Sequence, residues 1–94
     1  MNSIKLFFND KTLSNLAGYD FGKSVYDEQV KGKLDLSHEF SFEFPDEIKG
    51  VASSFVQGFF ADIVAQIGLL ATEQRVKIIS INERIEKTLL QKLQ

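Results

Sequence analysis

Residues 38–45 read HEFSFEFP, with phenylalanine at every second position. Side chains on a strand alternate between faces, so Phe40, Phe42 and Phe44 share one side and Glu39, Ser41 and Glu43 the other. A helix would scatter these rings around its circumference. The pattern therefore demands a strand with one dry face and one wet face, ended by Pro45, which has no N–H to donate. It also implies a layer of apolar side chains to cover the rings.

That layer is supplied by GVASSFVQGFFADIVAQIG, residues 50–68. Phe55, Val56, Phe59, Phe60, Ile63, Val64 and Ile67 recur at helical spacing. Gln57, Ala61, Asp62 and Gln66 take the other side, so a helix over 54–67 is predicted, closed by Gly68. Upstream, YDFGKSVYDEQVKGK (19–33) predicts a helix with Gly22, Val25, Tyr26, Gln29 and Val30 facing inward. Asp20 caps it or occupies its first turn, where a carboxylate meets unpaired N–H groups. Gly22 costs up to ~1 kcal/mol in a helix interior, which argues for a neighbour passing close by. Gly32 is the expected stop.

The remaining elements are shorter. SIKLFF (3–8) reads as a strand with Ile4, Leu6 and Phe8 on one face and Lys5 and Phe7 on the other. Residues 9–18 read as a loop with a short helical turn. VKIISIN (76–82) is a near-continuous apolar run of the kind found in central strands. Asn82 is placed to cap a last helix, 83–93, whose Ile85, Leu89, Leu90 and Leu93 line one side.

The resulting order is β-α-β-α-β-α. Strands joined through helices of this length run parallel with right-handed crossovers. The expected fold is a small, two-layer α/β domain on a mostly parallel three-stranded sheet. Ninety-four residues make one domain, 1–94. A chain of this size buries roughly 60–65% of its unfolded surface. Nine phenylalanines give the thin core large apolar side chains.

Composition narrows the chemistry. Without cysteine there is no disulfide, thiolate metal site or cysteine nucleophile. The net charge of −2, with no basic block, argues against nucleic acid as a partner. No apolar run approaches a membrane span, and the N-terminus lacks the pattern of a signal peptide, so the expected compartment is the cytoplasm. His38 has no neighbouring cysteine or second histidine, no metal-ligand spacing occurs, and GVASS lacks the lysine of a phosphate loop. The expectation is a chain without catalytic machinery or cofactor.

The phenylalanine strand, the short turn, the segment from GVASSFVQGFFADIVAQIG and the final VKIISIN with its helix together resemble the STAS-like family of bacterial domains. GYDFGKSVYDEQV resembles that family's glycine-containing first helix, so the likeness covers about residues 17–93. More distantly, the arrangement is similar to true STAS domains, the anti-sigma factor antagonists. There the turn before the helix reads Asp-Ser-Ser-Gly, and one serine is phosphorylated by a kinase with a histidine-kinase-type ATPase fold. By position Ala52 stands where the acid would be, Ser53 and Ser54 match the serines, and Phe55 replaces the glycine.

The resemblance implies a non-enzymatic regulatory module that binds a protein, an ATPase-type kinase or another regulator. Ser54, then Ser53, are the candidates for phosphorylation or for capping the helix. Asp46, Glu47, Lys49, Val51 and Phe55 are the candidate partner-binding residues. Three further readings stay open. One is a small phage-type inhibitor that blocks an enzyme by surface contact. Another is a small enzyme built around His38. The third is a homodimer through Phe7, Val76 and Ile78, which sit opposite the expected core face, or through an uncovered strand edge.

Overall fold

The computed structural model describes residues 2–10 and 12–93. Its elements are β1 (Ser3–Lys5), β2 (Asn15–Leu16), α1 (Tyr19–Gln29), β3 (Phe40–Glu43), β4 (Gly50–Val51), α2 (Ser53–Ile67), α3 (Leu69–Arg75), β5 (Val76–Ile79) and α4 (Glu83–Leu93). The expected α/β class and parallel three-stranded sheet are both found, in the order β1-β3-β5.

The phenylalanine strand is the centre of that sheet. Phe42 pairs with Ile4 on one side and Ile78 on the other. Phe40, Phe42 and Phe44 are buried. Phe42 meets the rings of Phe59 and Phe60 edge-on, at 5.0 and 5.8 Å between centroids, so α2 lies directly on the sheet. Helices α1 and α4 flank α2 in the same layer. Among the described residues the opposite face is bare of helices and carries Ser3, Lys5, Ser41, Glu43, Lys77 and Ile79. Ser41 donates to Ser3 there at 2.8 Å, and Lys5 and Lys77 lie 3.7 and 4.0 Å from Glu43 and Glu39.

Two glycines set how closely α1 approaches α2. A β-carbon on Gly22 would strike the Phe55 carbonyl oxygen and come within 2.8 Å of the Phe59 nitrogen. A β-carbon on Gly58 would strike the Tyr19 carbonyl oxygen and lie 2.8 Å from its carbon. The close neighbour expected at Gly22 is thus α2, met glycine to backbone in both directions. The helix stops at Gln29, four residues before the expected end. The N–H groups of Val30 and Lys31 both close on the Tyr26 carbonyl, and Gly32 follows at φ 79°.

Several expectations are corrected. The loop at 9–18 contains β2, which pairs parallel with β4 through Asn15–Gly50 and Leu16–Val51; Lys11, within it, lies outside the described residues. LLATEQR, for which no element is predicted, forms α3, bent 108° from α2 at Gly68. The apolar run at 76–82 is an edge strand of four residues, not a central one. Val76 and Ile78 are core residues, whereas Ile79 and Ile81 are 46% and 75% exposed. The run is cut short because β3 turns away at Pro45, where Ile48 N–H closes on the Pro45 carbonyl. The last ladder bond is Phe44 N–H to the Ile79 carbonyl.

The two edges of the sheet differ. Beyond β1, the side-chain amide of Gln29 brackets Phe7. Its Oε1 accepts the Phe7 N–H at 2.8 Å, and its Nε2 donates to the Phe7 carbonyl at 2.7 Å. The amide occupies the place that a further strand would take. No comparable bracket is found along β5 among the described residues.

Candidate functional site

The site is built where β4 hands the chain to α2. Lys49 and Gly50 both donate N–H bonds to the Ser14 carbonyl, and Ala52 donates to the Leu16 carbonyl at 2.7 Å. These bonds carry the extended conformation through Ala52, whose φ and ψ are −78° and 154°. The N-cap of α2 is therefore Ala52, with no side-chain cap bond. The capping role expected for Ser53 and Ser54 is corrected. The helix begins at Ser53, one residue before the expected start, so both serines fall inside the first turn. Val56 is the first residue to bond back, to the Ala52 carbonyl at 3.1 Å. The amides of Ser53, Ser54 and Phe55 have no intrahelical acceptor and make the positive end of the helix.

The two serines have different surroundings. Ser54 Oγ accepts the backbone N–H of Gly18 at 2.9 Å. Gly18 is the N-cap of α1 with φ 104°, a conformation that suits glycine. Ser54 thereby ties the start of α1 to the start of α2. Ser53 is exposed, and among the described residues its hydroxyl has no hydrogen-bond partner.

The expected recognition rim divides. Asp46 and Lys49 are exposed and Glu47 is half-buried. Asp46 and Glu47 line a depression of about 440 Å³ with Lys5, Phe7 and Glu43, over the C-terminal ends of β1 and β3. Val51 and Phe55 are corrected: at 4% and 1% exposed they belong to the core and cannot contact a partner. Phe55 stacks on Phe59 at 5.8 Å and receives the edge of Phe21 at 5.6 Å. The fold raises Tyr19 and Phe21 instead, which are 47% and 37% exposed in the first turn of α1. They were absent from the sequence-derived rim. The signal for them is that both lie off the inward stripe Gly22, Val25, Tyr26.

Lys92 reaches across from α4 and donates from Nζ to the Val51 carbonyl at 2.6 Å. That contact, with the bonds from β4 to residues 14–16, fixes the turn from two sides. Asn82 caps α4 as expected, its Oδ1 accepting the Arg84 N–H at 3.1 Å.

Other polar groups are accounted for elsewhere. His38 is exposed, 3.6 Å from the Asp35 carboxylate, on the loop before β3. The Asp35 carboxyl is held below the usual carboxylate range, first by the Ser37 hydroxyl and then by the Ser37 N–H, with His38 a smaller influence. Asp10 is lowered in the same way by Thr12. Tyr26 is buried, and its hydroxyl is pushed above its ordinary value, chiefly by burial and then by the Asp62 carboxylate. Among the described residues no group of histidine, aspartate and glutamate side chains could hold a metal ion. No single described helix is long and apolar enough to cross a membrane, and the α2–α3 pair that passes by composition is sharply bent.

No curated protein and no solved structure matches the chain. The family described as STAS-like domain of unknown function (DUF4325) matches residues 22–86, from Gly22 in α1, across the whole α2 tip, to the first turn of α4. With the parallel sheet and the serine-bearing helix start now described, the chain belongs to the STAS-like domain family.

Proposed function

We propose that this protein is a non-enzymatic regulatory module that binds a protein partner through the surface around the start of α2, and that Ser53 is the position of its switch. The observation that carries the reading is the division of labour between adjacent serines. Ser54 is committed to Gly18, whereas the Ser53 hydroxyl is exposed and without a partner among the described residues. The more distant likeness to anti-sigma factor antagonists makes a kinase with a histidine-kinase-type ATPase fold the fitting partner.

In this reading the kinase transfers the γ-phosphoryl group of ATP to Ser53 Oγ. The bond to ADP breaks, the Oγ–P bond forms, and the hydroxyl proton passes to a base on the kinase. The phosphate adds about −1.5 to −2 charges. It sits over the three amides of the first turn, where the helix favours negative charge. Tyr19 and Phe21, held beside it through the Ser54–Gly18 bond, supply the aromatic contact area that protein interfaces favour. The added charge then decides whether the partner stays.

The test is incubation of the full chain with ATP and its candidate kinase, followed by intact-mass analysis and peptide mapping. Phosphate on Ser53 that is lost in Ser53→Ala supports the reading. No added mass, with partner binding unchanged in Ser53→Asp, removes the switch.

A further inference from the structure

The two serines of the α2 tip face different neighbours. Ser54 and, one turn on, Gly58 lie against the start of α1, at Gly18 and Tyr19. Ser53 lies about 100° round the helix from Ser54, at the head of the stripe Ser53, Gln57, Phe60 and Val64. Gln57, Phe60 and Val64 line a groove with Leu93, in the last turn of α4. Ser53 is therefore on the α4 side of the tip. The residue before Leu93 is Lys92, whose Nζ already reaches the turn, 2.6 Å from the Val51 carbonyl. The backbone explains why that carbonyl can accept. The N–H groups of Gly50 and Ala52 point to β2, so strand alternation turns the Val51 carbonyl the other way, towards α4.

The Lys92 side chain is half-buried, and its ammonium carries three donors. Among the described residues it has no carboxylate within ion-pair distance, and the bond it makes is to a neutral carbonyl. A positive charge partly withdrawn from water and without an anion favours the arrival of one. Val51 and Ser53 are two residues apart, about 7 Å along extended chain, a span that a lysine head group and a phosphate can close. The geometry points to Lys92 as the counter-ion of a phosphate on Ser53, a pairing that rests on the switch proposed for that residue. Lys92 keeps one donor on the Val51 carbonyl and gives the others to the phosphate oxygens, in charge-assisted bonds. Phosphorylation then ties α2 to α4 and β4, much as Ser54 ties α2 to α1. The switch tightens the tip instead of loosening it.

The test encodes phosphoserine in place of Ser53 in the full chain. No kinase is needed, so the answer does not depend on which serine the host modifies. The second ionisation of phosphoserine ordinarily lies at about 6, and an opposite charge in contact lowers it. Phosphorus NMR titration is expected to place it below that value in the parent, at least about half a pH unit higher in Lys92→Gln, and near the parent value in Lys92→Arg. Lys49→Gln removes an equal but exposed charge from the same turn and is expected to move it by less than about 0.2 pH units. In thermal melts the phosphate is expected to raise the midpoint of the parent and not that of Lys92→Gln. Equal titration in the parent and Lys92→Gln, as large a shift in Lys49→Gln, or a phosphate that lowers the melting midpoint of the parent overturns the inference.

Discussion

The Ser54 hydroxyl and the Gly18 N–H, 36 residues apart in sequence, meet at 2.9 Å and join the first turns of the two central helices. A side chain that sequence alone assigns to its own helix end instead finishes the end of another. The neighbouring Ser53 is left on the surface at the positive tip of α2.

That difference predicts opposite behaviour for two adjacent alanine substitutions. Ser54→Ala removes an intramolecular hydrogen bond and leaves the Gly18 N–H without its acceptor, a loss of about 0.5–1.5 kcal/mol. Ser53→Ala touches no such contact and is expected to stay within about 0.5 kcal/mol of the parent. Urea unfolding of the two variants measures both.

The glycine crossing predicts a reversal of helix propensity. In an open helix, glycine to alanine stabilises by up to ~1 kcal/mol. Here Gly22→Ala and Gly58→Ala each drive a methyl group into the backbone of the facing helix. Overpacking of this kind costs about 1–3 kcal/mol, so the net effect is destabilisation despite the better propensity. Thermal melts of the two variants give the sign.

How much of this was legible in the sequence depends on the range of the forces. The phenylalanine alternation gave β3, its buried face and its end at Pro45, because side-chain period is a local property. Gly22 announced a close neighbour because a glycine inside a helix has a cost that needs a reason. The pair β2 and β4 has two residues a side and no period to detect; long-range N–H bonds to Ser14 and Leu16 create it. The bond from Ala52 to Leu16 also holds Ala52 extended and so makes it, rather than a serine, the helix cap. Val51 and Phe55 looked peripheral because they flank a turn, but the turn itself is folded onto the core. The apolar run at 76–82 looked central because Ile79 and Ile81 are apolar, although both face outward.

Tyr26 predicts a loss of stability in alkali. Its folded-state pKa is raised by burial and by Asp62, so its contribution is complete below the unfolded value of about 10 and is lost as pH rises through the higher folded value. Tyr26→Phe removes that ionisation. Its stability is expected to fall less steeply above about pH 10 than that of the parent, as followed by urea unfolding across the alkaline range.

Asp35 predicts the opposite sign in acid. Its folded pKa is depressed by the Ser37 hydroxyl and N–H, so its contribution is present above the unfolded value of about 3.9 and is lost as pH falls through the folded one. Ser37→Ala removes the largest cause, and the Asp35 titration followed by NMR is expected to move up towards the unfolded value.

Tyr19 predicts an effect on recognition without an effect on folding. It is 47% exposed beside the Ser54–Gly18 bond. Interface aromatics of this kind cost about 1–4 kcal/mol when truncated, so Tyr19→Ala is expected to weaken partner binding at least about fivefold. Calorimetric titration with the partner, beside a melt of the free variant, separates the two effects.

The central proposal is that Ser53 switches the module while Ser54 holds it together. The most direct measurement is peptide-mapped phosphate occupancy on the chain purified from its own host, alongside partner affinity for Ser53→Asp and Ser53→Ala. The account predicts phosphate on Ser53, a large change in affinity with the aspartate and little with the alanine. Phosphate confined to Ser54, or equal affinity for the parent and the aspartate variant, contradicts it.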